Sequence, residues 1–222
     1  VRKAFYMAID LDSIVKNIYN GHVYPTTSMT AEGFNGYDAA LERHPYDPEA
    51  AKALLAEAGY PDGFEVTLDA SSVGFANSDA LAQALASYWE KIGIKVNLNV
   101  MSTGFGSYIA QGAGNSGLSL VGWAMYTGDG ISMQERQYMK WDGGGNYGMY
   151  DNPDVSAKIM EAMQEMDTAK RGEMVKEIDR MVLDDVANIP LFFNENIFGV
   201  RDSIEYTPRY DRYLLAWEIS FK

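Results

Sequence analysis

Trp123, Tyr126 and Asp129 fall close together in the run Gly122-Trp123-Ala124-Met125-Tyr126-Thr127-Gly128-Asp129-Gly130, directly after the apolar stretch Leu118-Ser119-Leu120-Val121. Aromatic faces offer stacking surface, and a carboxylate offers a charge-assisted hydrogen bond to a cationic group. A buried strand that breaks into a Gly-rich loop sets these groups at the carboxyl end of the strand, where open α/β sheets bind ligands. The chemistry is recognition without bond breaking. The competing reading is plainer: a Trp after an apolar strand is more often a core residue, and Asp129 can serve as a turn residue.

A second candidate lies downstream. Residues 143–148, Gly-Gly-Gly-Asn-Tyr-Gly, satisfy G-x-G-x-x-G, but a dinucleotide site needs an apolar strand just before the motif and a helix opening inside it. Here Lys140-Trp141-Asp142 precedes it and the next helix signal is Pro153. The segment therefore reads as a loop whose glycines let Asn146, Tyr147 and Tyr150 approach a ligand or a neighbouring lobe. No catalytic constellation appears. His22 and His44 have no nucleophile and carboxylate at a recognisable spacing, and P-loop, H-E-x-x-H and G-x-S-x-G patterns are missing from the sequence. Asp184-Asp185 reads as a solvated pair near a helix end. With no cysteine and two histidines, neither a metal site nor a cofactor is expected.

The elements that must position these residues are spelled out by capping and periodicity. Asp10 caps a helix carrying Ile14, Val15 and Ile18 that stops near Asn20-Gly21. Asp47-Pro48 opens a second, with Leu54 and Leu55 inward and Gly59 at its end. Pro61-Asp62-Gly63 turns into Phe64–Asp69, whose alternation predicts a strand with one buried face. Leu81, Leu85, Tyr88, Trp89 and Ile92 recur at helical spacing, Gly93 ends the run, and Ile94–Val100 alternates as the next strand. Strand, helix, strand implies a right-handed parallel crossover. A short helix from Phe105 to Gln111 leads to Leu118–Gly122 in the same sheet. Asn152-Pro153 starts a helix with Val155, Ile159 and Met163 inward, and Thr168 caps a longer one through Met174, Ile178, Met181 and Val182, the methionines filling core. Ile189–Phe193 reads as a strand, and the tail to Lys222 has weak periodicity.

A chain of 222 residues that is 47% hydrophobic can bury a substantial core in one large or two small domains. Its 18 basic against 31 acidic residues, a formal charge of -13, oppose nucleic acid or an anionic membrane surface as partner. No run reaches membrane-spanning length. Val1-Arg2-Lys3-Ala4-Phe5-Tyr6-Met7-Ala8-Ile9 already lies within a helical pattern, which reads as a piece of a longer protein.

Several segments together resemble the bacterial extracellular solute-binding proteins of family 5, the receptors of oligopeptide, dipeptide and nickel ABC importers. These are Val1–Ala4 with Ala8-Ile9-Asp10, the stretch from Tyr46 to Phe64 (YDPEAAKALLAEAGYPDGF), Lys91–Val96, Tyr150-Asp151-Asn152-Pro153, Lys170-Arg171 and Ile189-Pro190-Leu191, in family order. The resemblance implies an α/β, periplasmic-binding-protein-like fold (type II, cluster C), with this chain as the second lobe: a mixed sheet with flanking helices. It implies residues 1–193 as the C-terminal ligand-binding lobe and 194–222 as a tail returning towards a missing N-terminal lobe. It further implies a small-molecule or peptide solute, an ABC permease as membrane partner, no nucleic acid, and an extracytoplasmic location, in a periplasm or on the cell surface as a lipoprotein. The ligand-binding residues expected are Trp123, Tyr126, Asp129, Asn146, Tyr147 and Tyr150. Peptide receptors of this family carry Gly-Trp-x-x-Asp-Tyr, with the Asp on the peptide's amino group. Tyr126 stands at that position here, while Asp129 keeps the Asp of the following Asp-Pro element with Gly130 in place of Pro. Aromatic platforms would equally suit a sugar ring or an apolar solute, and the same fold also serves as the sensing domain of regulators.

Overall fold

Each strong start and stop signal becomes an element in the computed structural model, which describes residues 1–110, 117–139, 146–209, 211 and 213–222. The order is α1 (Arg2–Met7), α2 (Leu11–Asn17), β1 (Val23–Pro25), α3 (Pro48–Glu57), β2 (Glu65–Ser71), α4 (Ser78–Glu90), β3 (Lys95–Met101), α5 (Phe105–Ala110), β4 (Gly117–Leu120), α6 (Ile131–Tyr138), α7 (Pro153–Gln164), α8 (Thr168–Asp184), β5 (Phe192–Asn194), β6 (Ile204–Glu205), a 3-10 turn at Ala216–Glu218, and β7 (Ser220–Phe221). Three strands form a parallel sheet in the order β3-β2-β4, while β1 pairs antiparallel with β5 and β6 with β7. This is an α/β fold with a parallel sheet and flanking helices.

The helices α2 and α3 and the β2-α4-β3 crossover after them are bounded by local chemistry. Asp10 and Asp47 accept hydrogen bonds from the backbone N–H groups of Ser13 and Ala50 at 2.9 Å, satisfying donors that a helix start leaves open. Gly63 and Gly93, at the entrances to β2 and β3, adopt φ of +72° and +92°, and a Cβ on Gly63 would lie 1.8 Å from the carbonyl oxygen of Gly93. Only glycine permits that crossing of backbones. Leu81, Leu85 and Trp89 of α4 are buried against the sheet together with Leu55, Leu68 and Ile94. Trp89 packs edge-on to Phe5 at 5.1 Å and its Nε1–H donates to the Phe5 carbonyl at 2.9 Å. A second core, centred on Tyr138, Val155, Ile159, Met174 and Ile178, joins α6, α7 and α8.

Four expectations need correction. β2 is the middle strand, so Leu68, Asp69, Ala70 and Ser71 are all buried and the single buried face holds only for its first half. Asp167 caps α8 in place of Thr168: its carboxylate accepts from the Lys170 N–H at 3.0 Å, and Thr168 is already the first helical residue. Ala162 occupies the inward position expected of Met163, which is exposed along with Met160 and Met166, so these methionines fill no core. The strand expected at Ile189–Phe193 is confined to Phe192–Asn194. Gln111, the expected end of α5, and residues 143–145 of the glycine-rich loop lie outside the described residues.

Candidate functional site

The loop after β4 leaves the sheet beside the end of β2. A Cβ on Gly122 would stand 3.1 Å from the Phe75 ring, so the chain passes close to the segment that follows β2. The loop is then fixed at its far end. Asn35 and Asp129 form an isolated parallel bridge, with the Asn35 N–H donating to the Gly128 carbonyl and the Gly130 N–H to the Asn35 carbonyl, both at 3.0 Å. The Asp129 carboxylate accepts from Arg171 at Nε (2.8 Å) and Nη2 (2.7 Å), from Asn35 Nδ2 (3.2 Å) and from the Ile131 N–H at the start of α6 (3.2 Å). The two ionic side chains are only 19% and 17% exposed, which makes this a sheltered charge-assisted pair. Asp129 thus tethers the loop to α8. Gly130 follows for a steric reason: a Cβ there would meet Thr30 Oγ1 at 2.7 Å and Val175 Cγ1 at 2.8 Å.

Between these fixed ends the aromatic residues stand apart from the core. Trp123 is half-buried and stacks on Tyr147, with ring centroids 5.3 Å apart and planes inclined by 23°. The Arg136 guanidinium carbon, from α6, lies 4.3 Å from the centroid of the Trp123 ring. The Trp123 Nε1–H is out of contact with solvent and has no hydrogen-bond partner among the described residues. Tyr126 is 59% exposed, its ring 6.5 Å from that of Tyr213 in the tail.

Asn146 and Tyr150 are engaged by the protein's own groups. Asn146 closes the 146–150 turn: its Nδ2 donates to the Met139 and Tyr150 carbonyls at 3.3 and 2.7 Å, and its Oδ1 accepts from the Tyr150 N–H at 3.1 Å. Tyr150 is buried against Tyr138, and its hydroxyl donates to Asp185 Oδ2 at 2.7 Å. Burial, reinforced by that carboxylate, pushes the Tyr150 hydroxyl up to about 12. The structure therefore brings Trp123 and Tyr147 together, leaves Tyr126 exposed nearby in the chain, and engages Asp129, Asn146 and Tyr150 in holding the loops.

Sequence reasoning missed α6 and with it Arg136. The signal was present in Met133, Gln134 and Tyr138, which are buried, and Arg136 sits off that face near its end. A polar knot beneath the loop was missed as well. Gln134 Nε2 donates to Asp179 Oδ1 and, at 3.3 Å, to Thr30 Oγ1, and all three residues are almost wholly buried. Burial raises Asp179 to about 7 despite hydrogen bonds from Thr30 and Gln134. Among the described residues no group of His, Asp and Glu side chains could hold a metal ion, and no helix is long and apolar enough to cross a membrane. Two open concavities of about 440 and 500 Å³, beside α2 and in the tail, are lined by neither Trp123 nor Tyr126.

Residues 1–145 match the family described as bacterial extracellular solute-binding proteins, family 5 Middle. The glutathione-binding protein GsiB of Salmonella paratyphi A is 29% identical over 202 residues, covering 86% of this chain and 38% of that protein. Di/tripeptide-binding protein 1 of Pseudomonas aeruginosa is 28% identical over 196 residues, covering 86% and 36%. The structure of HbpA2 from Haemophilus parasuis superposes with a TM-score of 0.87 at 24% identity, covering all of this chain and 44% of that one. The chain therefore spans less than two fifths of the length of these two sequence relatives.

Proposed function

The chain belongs to the bacterial extracellular solute-binding proteins of family 5, and on that premise we propose that it is the C-terminal ligand-capturing lobe of an extracytoplasmic receptor serving an ABC importer. One observation carries the reading: Trp123 stacked on Tyr147, with Tyr126 exposed, on a loop fixed at both ends at the carboxyl edge of a parallel sheet. Such a surface is one wall of a cleft. The length of the relatives beyond this chain would supply the other, and hinge closure would bury a solute between them. The tail from 194 onward suits contact with that second lobe, since Tyr213, Leu214, Trp217 and Phe221 are between 58% and 86% exposed. The solute is a small molecule of peptide size, as the names of the relatives, which include glutathione and di- or tripeptides, suggest. A membrane permease receives the closed complex, in a periplasm or from a lipid-anchored receptor at the cell surface, and no chemical step is required of the protein.

The test is calorimetry on full-length protein and on the 222-residue chain, with the co-purifying solute first identified by native mass spectrometry. Full-length protein should bind one solute tightly and the isolated chain at least tenfold more weakly, because half a cleft loses much of the buried contact. Equal affinity would overturn the two-lobe reading.

A further inference from the structure

The arginines around the loop differ in what they touch. Arg171, Arg180 and Arg209 each sit on a carboxylate, at Asp129, Asp38 and Asp211. Arg136 sits on an indole, is exposed, and forms no ion pair among the described residues. A guanidinium resting over an aromatic ring without a carboxylate partner keeps N–H donors free, and it can bind a carboxylate through two parallel hydrogen bonds. Beside it the buried Trp123 Nε1–H has no acceptor among the described residues. The one carboxylate of the loop, Asp129, is already neutralised by Arg171 and committed to Asn35 and α6. Tyr126, at the position where the peptide receptors carry an acid, contributes a phenol in place of a carboxylate. Among its described residues the loop presents no uncommitted carboxylate, and Arg136 beside it supplies a cation.

We propose that Arg136 receives an oxyanion of the solute while Trp123 and Tyr147 provide the apolar contact, so that the solute class is an organic carboxylate with its amino group absent, blocked or unrecognised. This rests on the receptor reading above. The formal charge of -13 does not oppose it, because salt screens distant charges within about 8 Å at physiological ionic strength, whereas a contact pair is screened little.

The experiment uses full-length protein and N-acetyl mono- to tripeptides ending in Phe or Ala, each as the C-terminal carboxylate and as the C-terminal amide, together with the same amides bearing a free amino group. Dissociation constants are measured for wild type, Arg136→Gln and Arg136→Lys, with melting followed by circular dichroism. The carboxylates should bind at least about tenfold more tightly than their amides. Arg136→Gln should weaken the carboxylates by about ten- to a hundredfold and the amides little, closing the gap, with Arg136→Lys retaining part of it. An equal loss for acid and amide would reveal a merely structural role and overturn the proposal. Binding confined to the free-amino amides would overturn it while leaving the receptor reading standing, and binding of no member would overturn both. Should Arg136→Gln fail to fold, the wild-type acid-to-amide ratio decides: a ratio near one sinks the assignment.

Discussion

Trp89 and Trp123 are the same residue put to opposite uses. Trp89 is 3% exposed, edge-on to Phe5, with its N–H satisfied by a backbone carbonyl. Trp123 is half-buried, stacked on Tyr147 and Arg136, with its N–H unpaired. In the first, every polar atom is accounted for within the fold, as a core requires. In the second, the N–H has no acceptor among the described residues and the ring is covered by loop and surface side chains in place of core. The lesson is that the function of an aromatic residue is read from what its polar atom and its faces lack, more than from its burial.

The strongest way to break this contrast is to truncate both. Trp89→Ala should cost about 3–5 kcal/mol of unfolding free energy by opening a cavity in the main core. Trp123→Ala should cost only about 1 kcal/mol, the worth of a partly exposed stack, yet weaken solute binding by full-length protein by about 1–3 kcal/mol. Urea unfolding of both variants, paired with calorimetry, decides the matter. Equal destabilisation would show Trp123 to be a second core residue.

A smaller effect sharpens the comparison from beneath the loop, where Asp179 is buried with Gln134 and Thr30 and with Asp38, on the other side of the Arg180 pair, adding repulsion. Its carboxyl is raised to about 7 by burial, above an unfolded value near 4. The proton is therefore held more tightly by the folded chain. This contribution is complete below about pH 4 and is lost as pH rises to about 7. Gln134 Oε1 and Asp179 Oδ2 both lack partners, so an amide at 179 supplies the missing donor without the charge. Asp179→Asn should gain about 1–3 kcal/mol on wild type between pH 5 and pH 8, measured as the difference between their urea midpoints. A difference that is the same at both pH values would show that the carboxyl is not titrating there.

The smallest effect separates two cap assignments. Asp47→Ala should cost about 0.5–2 kcal/mol, whereas Thr168→Ala should be near neutral because Asp167 holds the α8 start. Neither should alter solute affinity in full-length protein. A clear loss of affinity at unchanged melting temperature would place Asp47 in the site.

What could be read from the sequence follows the range of the interactions. The helices α2 and α3 and the β2-α4-β3 unit after them were legible because their boundaries are set by residues within a few positions: the caps at Asp10 and Asp47, the glycines at 63 and 93, and the helical spacing of Leu81, Leu85 and Trp89. The double burial of β2 was not, since it depends on β4 arriving from some fifty residues later in the chain. Within the site, Trp123 and Tyr147 were legible as aromatic residues in Gly-rich loops, but their stacking was not. Asp129 looked like a loop carboxylate because Arg171, 42 positions away, carries no local trace of the pair. Tyr150 and Asn146 were expected near solute by the same logic, and their bonds to Asp185 and across the turn show how a loop's polar residues are spent on shaping it.

The tether between Asp129 and Arg171 also bears on how the proposed recognition could be altered. With Gly122 close beside Phe75 at one end and, at the other, the Thr127 hydroxyl on Ser132 and Asp129 paired with Arg171 of α8, the stretch from Trp123 to Tyr126 is suspended between supports outside it. If the proposed site is right, this stretch is an exchangeable cassette: new side chains there would alter what is recognised while the frame that aims them stays in place.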